Sequence, residues 1–535
     1  MIVNVKKLVK VSTLIMCLLL LYGCGSDKDE ADYYEPADEE YDEDYYDEYE
    51  DQDYYDSDQQ DDEEPAEQFE EGSSGYAIGM MDKVFSEYQA QVQADPVRQQ
   101  EVTPEEKMIS FYDDSGKVVN ESVDVCSIEM DGRTMQYTMD IIGDPGENGL
   151  YPLYITLHGG GGGAPEENNE QWLAMRGYYS SAVESGIYVA TRGMEDTWNT
   201  HFLDYSYEYY DRLIEDMIML KDADPDRVFL LGFSAGGDGV YAIAPRMADR
   251  FAAVNMSSGH PNGVSLLNTS NLPFEIQVGI RDFYSEDALR SIRGAEFEDT
   301  LNGYNSKFGF GYPHRVLVHV PEGHNYNDYE DPDDEYNRTA VLKDPAEFAG
   351  RAVTEDWLGQ FLDLYSAMGY GEDVTDLSYS GYEDYNQELT DYIENSLNME
   401  VDYEANSNAV RYVNSFTRKA SPEKFVWDLS TRAPVRKDTA FYWLKADHSV
   451  NSGLIYASYD ENSNTVTLRT DGNVSGDIYI LATPMLMDFS RPLKVVTPEG
   501  EFSADLEADE QTIRDSLSET GDAFLSWADE VKVIF

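Results

Sequence analysis

Positive charge is scarce in this chain. Against 106 Asp and Glu residues stand 37 Lys and Arg, giving a formal net charge of −69 over 535 residues. A surface of that sign repels phosphate, which excludes nucleic acid as a partner. It suits an exported, well-solvated protein. Cysteine is nearly absent: the three are Cys17, Cys24 and Cys126, too few for a disulfide framework. Cys126 lies in the apolar stretch VDVCSIEM, which reads as a strand carrying a buried structural thiol. Histidine is sparse too, at seven, so chemistry that needs an imidazole has few candidates. The apolar stretch near the start, VSTLIMCLLLLYGCG, is too short for a spanning helix, and no repeat of propeller length is visible. What is present is apolar content of 41%, enough for sizeable cores, and a length that suggests two or three domains with linkers.

The N-terminus reads as an export signal. Lys6, Lys7 and Lys10 form a charged region and the apolar stretch follows. Its end, Leu21-Tyr22-Gly23-Cys24, resembles the bacterial lipoprotein signal. That resemblance implies removal of residues 1–23, a lipid on Cys24 and anchoring to the extracytoplasmic face of a bacterial membrane. Residues 24–75 are a low-complexity acidic, Tyr-rich tract. Like charges repel and little aliphatic surface can be buried, so the expectation is a disordered tether. The long tether and the lack of an outer-membrane sorting cue point to a Gram-positive surface.

Residues 76–118, with MMDKVFSEYQAQV, read as a partly helical lead-in without chemistry of its own. From 119 to 370 apolar strand candidates alternate with helical patterns: PLYITLHG, IYVATRG, DRVFLLGFS, FAAVNMSSG, FEIQVGIRD and HRVLVHVPEG are the strands. Continuous apolar strands separated by helices predict an α/β domain, its mostly parallel sheet covered by helices on both faces. Residues 371–400 are acidic and Tyr-rich again, and read as a linker. Residues 401–535 carry short strands and polar turns (KFVWDLST, TAFYWLKADH, GLIYASYDENSNTVTLRT, DIYILATP), which predict a small β-rich C-terminal domain.

Gly232-Phe233-Ser234-Ala235-Gly236 is a G-x-S-x-G pattern between a strand candidate and a helix candidate, the context that such a strained turn requires. A serine hydroxyl is a poor nucleophile without a base. His324, in PEGHN just beyond the strand RVLVHV, is the candidate base, while His314 and His319 read as structural and His201 and His448 have no helpful context. Asp282, at the end of FEIQVGIRD, is the candidate acid that fixes the imidazole tautomer, with Asp287 and Asp328 as alternatives. The order Ser234, Asp282, His324 suits an open α/β sheet that gathers its site at strand C-termini. His158 and Gly159 to Gly163 follow PLYITL. The N–H of Ala235 and one from this loop, Gly160 or Gly161, are the expected oxyanion donors. His158, together with His260 and Asn262 in the HPNG stretch, is a candidate substrate-binding residue. Trp427, Phe441, Tyr442 and Trp443 read as core rather than as a sugar platform, and the run from Glu330 to Glu335 as a solvated loop rather than a calcium site.

Through LHGGGG, GFSAGGDGVYAIAPRMADR, QVGIRD and PHRV…GHN, residues 119–370 resemble the α/β-hydrolase superfamily. The resemblance is to its branch of polyhydroxybutyrate depolymerases, feruloyl esterases and dienelactone hydrolases. It implies a serine esterase acting on a carboxylic ester (an acylated carbohydrate, a polyester or a small ester), with no cofactor and no metal. Two other functions compete: a serine peptidase of the same fold, and a binding lipoprotein with an inactive hydrolase fold. The acyl and alcohol groups and the oligomeric state are not readable from the sequence.

Overall fold

The computed structural model describes residues 70–113, 115–282, 289–320, 322–326, 340–354, 391, 393–395, 397–433 and 439–535. The signal segment, Cys24, nearly all of the acidic tether, Asp287, Asp328, the Glu330–Glu335 run and most of the expected linker lie outside these residues. No helix among the described residues is long and apolar enough to cross a membrane.

The chain enters through helices α1 (Ser74–Ala94) and α2 (Pro96–Glu101), then strands β1 (Glu105–Tyr112), β2 (Val118–Met130), β3 (Arg133–Ile142) and β4 (Tyr151–Leu157). Next come α3 (Pro165–Tyr178), β5 (Gly186–Thr191), α4 (Ser206–Leu220), β6 (Ala223–Phe233), α5 (Ala235–Ile243), β7 (Ala253–Ser257) and β8 (Phe274–Gly279). Helix α6 (Arg290–Phe308), β9 (His314–Val320), β10 (Ala340–Leu342), α7 (Pro345–Thr354), β11 (Val401–Asp402) and α8 (Ala409–Val413) follow. These strands form one 11-stranded sheet in the order β1-β2-β3-β5-β4-β6-β7-β8-β9-β10-β11.

The sheet is mixed, which corrects the expectation of a mostly parallel one. Strands β5, β4, β6, β7, β8 and β9 run parallel. Antiparallel pairs flank them, β1 to β2 to β3 to β5 on one side and β9 to β10 to β11 on the other. The polar alternation of β2, partly exposed along its length, suits an antiparallel strand with one solvated face. The lead-in segment therefore supplies the edge strand β1, and chain beyond residue 400 supplies β11 at the other edge.

The parallel strands are buried on both faces, so their apolar residues split between two clusters. Leu153, Ile155, Ile187, Val189, Val228 and Leu230 point to one face, where α4, α5 and α6 cover them. Tyr154, Tyr188, Phe229 and Leu231 point to the other, against α3 and α8. Cys126 in β2 is buried, and burial pushes its thiol up to about 11, far from a reactive thiolate.

The remaining chain forms two smaller sheets. One contains β12 (Lys424–Asp428), β15 (Leu454–Asp460), β16 (Thr465–Thr470), β18 (Leu493–Thr497) and β19 (Gly500–Ala504). The other contains β13 (Ala440–Phe441), β14 (Leu444–Ala446), β17 (Asp477–Ala482) and β20 (Asp529–Ile534), with helix α9 (Glu510–Thr520) preceding β20. Trp427, Phe441, Tyr442 and Trp443 are buried and join the core on the α4–α5 face, so none serves as a surface platform.

Candidate active site

Strand β6 ends at Phe233 and helix α5 begins at Ala235. Ser234 between them has φ +56° and ψ −118°, a conformation that non-glycine residues rarely adopt. Two backbone bonds hold it there: Ser234 N–H donates to Ser257 O at 2.9 Å, and Asp238 N–H to Ser234 O at 3.0 Å. The turn needs small neighbours. A Cβ on Gly236 would stand 2.0 Å from Leu157 O, and one on Gly232 2.3 Å from Gly236 O. Glycine at both positions lets β4, β6 and α5 meet, and the serine is left at the sheet's C-terminal edge.

Two further loops reach the serine from β8 and β9. His324 Nε2 lies 2.9 Å from Ser234 Oγ, and His324 Nδ1 lies 2.8 Å from Asp282 Oδ2. Asp282 is fully buried, while His324 keeps a partly exposed edge and Phe233 packs against its ring. The two loops are bonded to each other by Arg281 N–H to Glu322 O at 3.0 Å. The histidine loop has its own brace. Ser258, itself at φ +51°, donates its hydroxyl to His324 O at 2.7 Å, and its N–H to Tyr326 Oη at 3.1 Å. Tyr326 Oη donates to Gln277 O at 2.5 Å, and its ring stacks on buried His319 at 4.1 Å. Burial lowers the His319 imidazole to about 3, so it is neutral here, and its Nε2 lies 2.7 Å from Gln277 Oε1.

The glycine loop after β4 lies against the serine: a Cβ on Gly159 would be 3.3 Å from Ser234 Cβ. Of the two expected loop donors, one is taken. Gly161 N–H donates to Asn168 Oδ1 at 2.8 Å, which corrects its assignment as an oxyanion donor. Gly160, at φ +89°, remains. Ala235 occupies the first position of α5, where an α-helix leaves its N–H without an intrahelical acceptor. Asn168 is fully buried and donates to Asp196 Oδ1 at 2.7 Å; Asp196 in turn pairs with Arg192. This Arg192–Asp196–Asn168 series was not legible in the sequence, because nothing in PEENNEQW separates Asn168 from its polar neighbours.

His158 does not line the site. It is fully buried, its Nε2 accepts from Gly193 N–H at 2.9 Å and its Nδ1 lies 2.5 Å from Gly159 O. Both ring nitrogens are committed to backbone, so the side chain props the loop and offers nothing to a substrate. His201 packs edge-on beneath it, its Nε2 2.9 Å from His158 O, and burial lowers its imidazole to about 4. His260 and Asn262 follow β7 and rest on Asp238, one turn beyond the serine. Asp238 accepts from His260 N–H at 2.6 Å and from Asn262 Nδ2 at 3.1 Å, and burial raises its carboxyl above the ordinary range. Asn262 is exposed and bonded to α5 through Asp238. Among the described residues no cluster of His, Cys, Asp or Glu is arranged to hold a metal ion.

No protein-family model matches the chain, and no curated protein matches it. Solved structures give likenesses at low identity. One is a thermostable esterase, 14% identical, covering 48% of this chain and 70% of that one, with a TM-score of 0.29. Another is LpqC, a poly(3-hydroxybutyrate) depolymerase from Bordetella parapertussis, 15% identical over 43% and 88%, with a TM-score of 0.31. A third is Est1E from Butyrivibrio proteoclasticus, 14% identical over 44% and 99%, with a TM-score of 0.26. What the site can do follows from its own side chains, not from these likenesses.

Proposed function

We propose that the protein is a serine hydrolase that cleaves carboxylic esters. The observation that carries this reading is the hydrogen-bonded series Asp282–His324–Ser234, at 2.8 and 2.9 Å, on a serine held at positive φ. In it, Ser234 Oγ attacks the ester carbonyl carbon as its proton passes to His324 Nε2. Asp282 holds the imidazole with Nδ1 protonated and stabilises the imidazolium that forms. The N–H groups of Ala235 and Gly160 receive the oxyanion, where one such donor is typically worth about 2.7–4 kcal/mol. His324 then gives its proton to the leaving alkoxide. Water repeats the sequence on the acyl-enzyme, releasing the acid and restoring Ser234.

Glu166 and Glu167 open α3 beside the glycine loop, and Asp196 stands behind it. That acidic rim favours neutral esters (acylated carbohydrate, polyester or small ester) over anionic ones. With a lipid on Cys24 and an acidic tether, such an enzyme would work at the outer face of the cell membrane.

The test treats the full-length protein with a fluorophosphonate probe and maps the adduct by mass spectrometry, with His324→Ala as control. Labelling at Ser234 that disappears in the control is the expected result. A folded wild-type protein that does not label would sink the hydrolase reading in favour of a binding lipoprotein. Parallel panels of esters and peptides then separate esterase from peptidase.

A further inference from the structure

Asp282 presents only one of its oxygens to His324. The other, Oδ1, accepts no hydrogen bond from the described residues, although Asp282 is fully buried. A buried carboxylate with an unsatisfied oxygen is costly unless a cation compensates it. The group in place is Arg290, whose Nη1 lies 3.8 Å from Asp282 Oδ1. Arg290 is the first residue of α6, and the next residue, Ser291, donates its N–H to Asp282 O at 3.2 Å. The start of α6 is thus fastened to Asp282 by backbone and side chain together. A cation at a helix N-terminus opposes the helix dipole, so helix stability does not explain an arginine there.

A second carboxylate, Asp238, is raised above the ordinary range by its burial, an effect that the bond from His260 N–H and the charge of Arg290 oppose. Asp238 sits in the first turn of the nucleophile helix and fixes the loop of His260 and Asn262 through both its oxygens. Of the two acids, it is Asp282 that the guanidinium stands against, at 3.8 Å from Oδ1.

We propose that Arg290 is a positioning residue: standing against Oδ1 of Asp282 at the start of α6, it sets the direction in which Asp282 presents Oδ2 to His324. This rests on the serine-hydrolase reading, and the two are tested separately. Fluorophosphonate labelling of the wild-type protein tests the hydrolase. The far-downfield proton resonance of a carboxylate-bonded His324 Nδ1 tests Arg290, with or without turnover.

The experiment compares full-length Arg290→Met and Arg290→Lys with wild type, on a small neutral ester and by proton NMR, the resonance being assigned through its loss in His324→Ala. Misalignment on the scale of 1 Å costs about 100-fold, so Arg290→Met is expected to lose about 10- to 100-fold in kcat with KM changed by less than about threefold. Its downfield resonance should shift or broaden away. Arg290→Lys, which restores the charge, should recover most of the kcat and the resonance. A folded Arg290→Met with wild-type kcat overturns the proposal. So does a loss of kcat with the resonance unmoved, since that is what a merely structural residue gives. Where Arg290→Met does not fold, Arg290→Gln, similar in length and uncharged, is read against the same outcomes.

Discussion

Replacing Asn168 by alanine should disable the glycine loop without unfolding the domain. Asn168 Oδ1 accepts from Gly161 N–H at 2.8 Å and Nδ2 donates to Asp196 at 2.7 Å, both with the residue fully buried. A neutral hydrogen bond contributes about 0.5–1.5 kcal/mol and one to a charged group about 1.5–3 kcal/mol. Their sum, about 2–4.5 kcal/mol, is charged to a loop rather than to the sheet, so it appears as local opening more than as a lower melting point. Gly160 also leans on this amide, since a Cβ there would stand 2.9 Å from Asn168 Oδ1. On the proposed mechanism, loss of this amide takes the Gly160 N–H off its aim at the oxyanion. A displacement of about 1 Å costs about 100-fold, or about 2.7 kcal/mol of barrier. The assay is steady-state hydrolysis of a small neutral ester, paired with the rate of fluorophosphonate labelling, because the phosphonyl oxygen uses the same donors. Both should fall by about 30- to 100-fold. Asn168→Asp should be impaired as well: it keeps an acceptor for Gly161 but sets a carboxylate against Asp196. A folded Asn168→Ala enzyme with kcat within about twofold of wild type would refute the account of the loop.

Tyr326→Phe keeps the ring on His319 and removes the hydroxyl that bonds Ser258 and Gln277. It should lower stability by about 1–3 kcal/mol in denaturant unfolding and reduce kcat, since Ser258 also holds the His324 carbonyl; unchanged values for both would show that this brace is idle. The buried histidines set a pH dependence. Burial lowers His201 to about 4 and His319 to about 3 from an ordinary 6.5. Below 6.5 the unfolded chain binds protons that the folded chain refuses, so this stability is present above 6.5 and drains away as pH falls toward 4 and then 3. Each histidine contributes up to about 1.4 kcal/mol per pH unit in its window. Denaturant unfolding at pH 7, 6 and 5 should show the decline, and His319→Asn should flatten it; a parallel curve for the variant would refute the assignment.

Which features were legible follows from how local their signals are. A strand buried on both faces is a continuous apolar run, and each of the six parallel-sheet candidates, from PLYITLHG to HRVLVHVPEG, meets its strand in β4 to β9. The serine, histidine and acid were readable because each stands at the C-terminal end of such a strand, and the structure brings the three side chains into hydrogen-bond contact. The antiparallel flanks were less visible. β10 is three residues long and β11 two, and β1 lies in a polar stretch whose alternation resembles a solvated segment. His158 misled because a histidine before a glycine loop has the same sequence signature whether it faces the substrate or the backbone behind it. Asn168 and Arg290 were silent for a similar reason. Their work lies in contacts across the fold, with Gly161 and Asp282, and no local pattern marks a residue that serves only through another.

The C-terminal sheets bear on the site from its far side. Helix α5 starts directly after Ser234 and runs into the segment from Ala244 to Asp249, where Tyr442 bonds Ala248 O and the Asp249 carboxylate, each at 3.4 Å. Beside this contact, Arg250 pairs with Asp211 of α4 and with Asp522 of the C-terminal segment, and Arg418 pairs with Asp522 at 2.7 Å. Burial opposes ionisation of Asp522, yet Arg418 and Arg250 outweigh it and hold the carboxyl below its ordinary range. In a chain with so few basic residues, committing two buried arginines here is informative. Breaking one partner of a buried pair typically costs about 3–5 kcal/mol, far more than a surface bridge. The C-terminal segment is thus fastened to the stretch that follows α5. These contacts brace the far end of α5, the helix that begins directly after the strained Ser234.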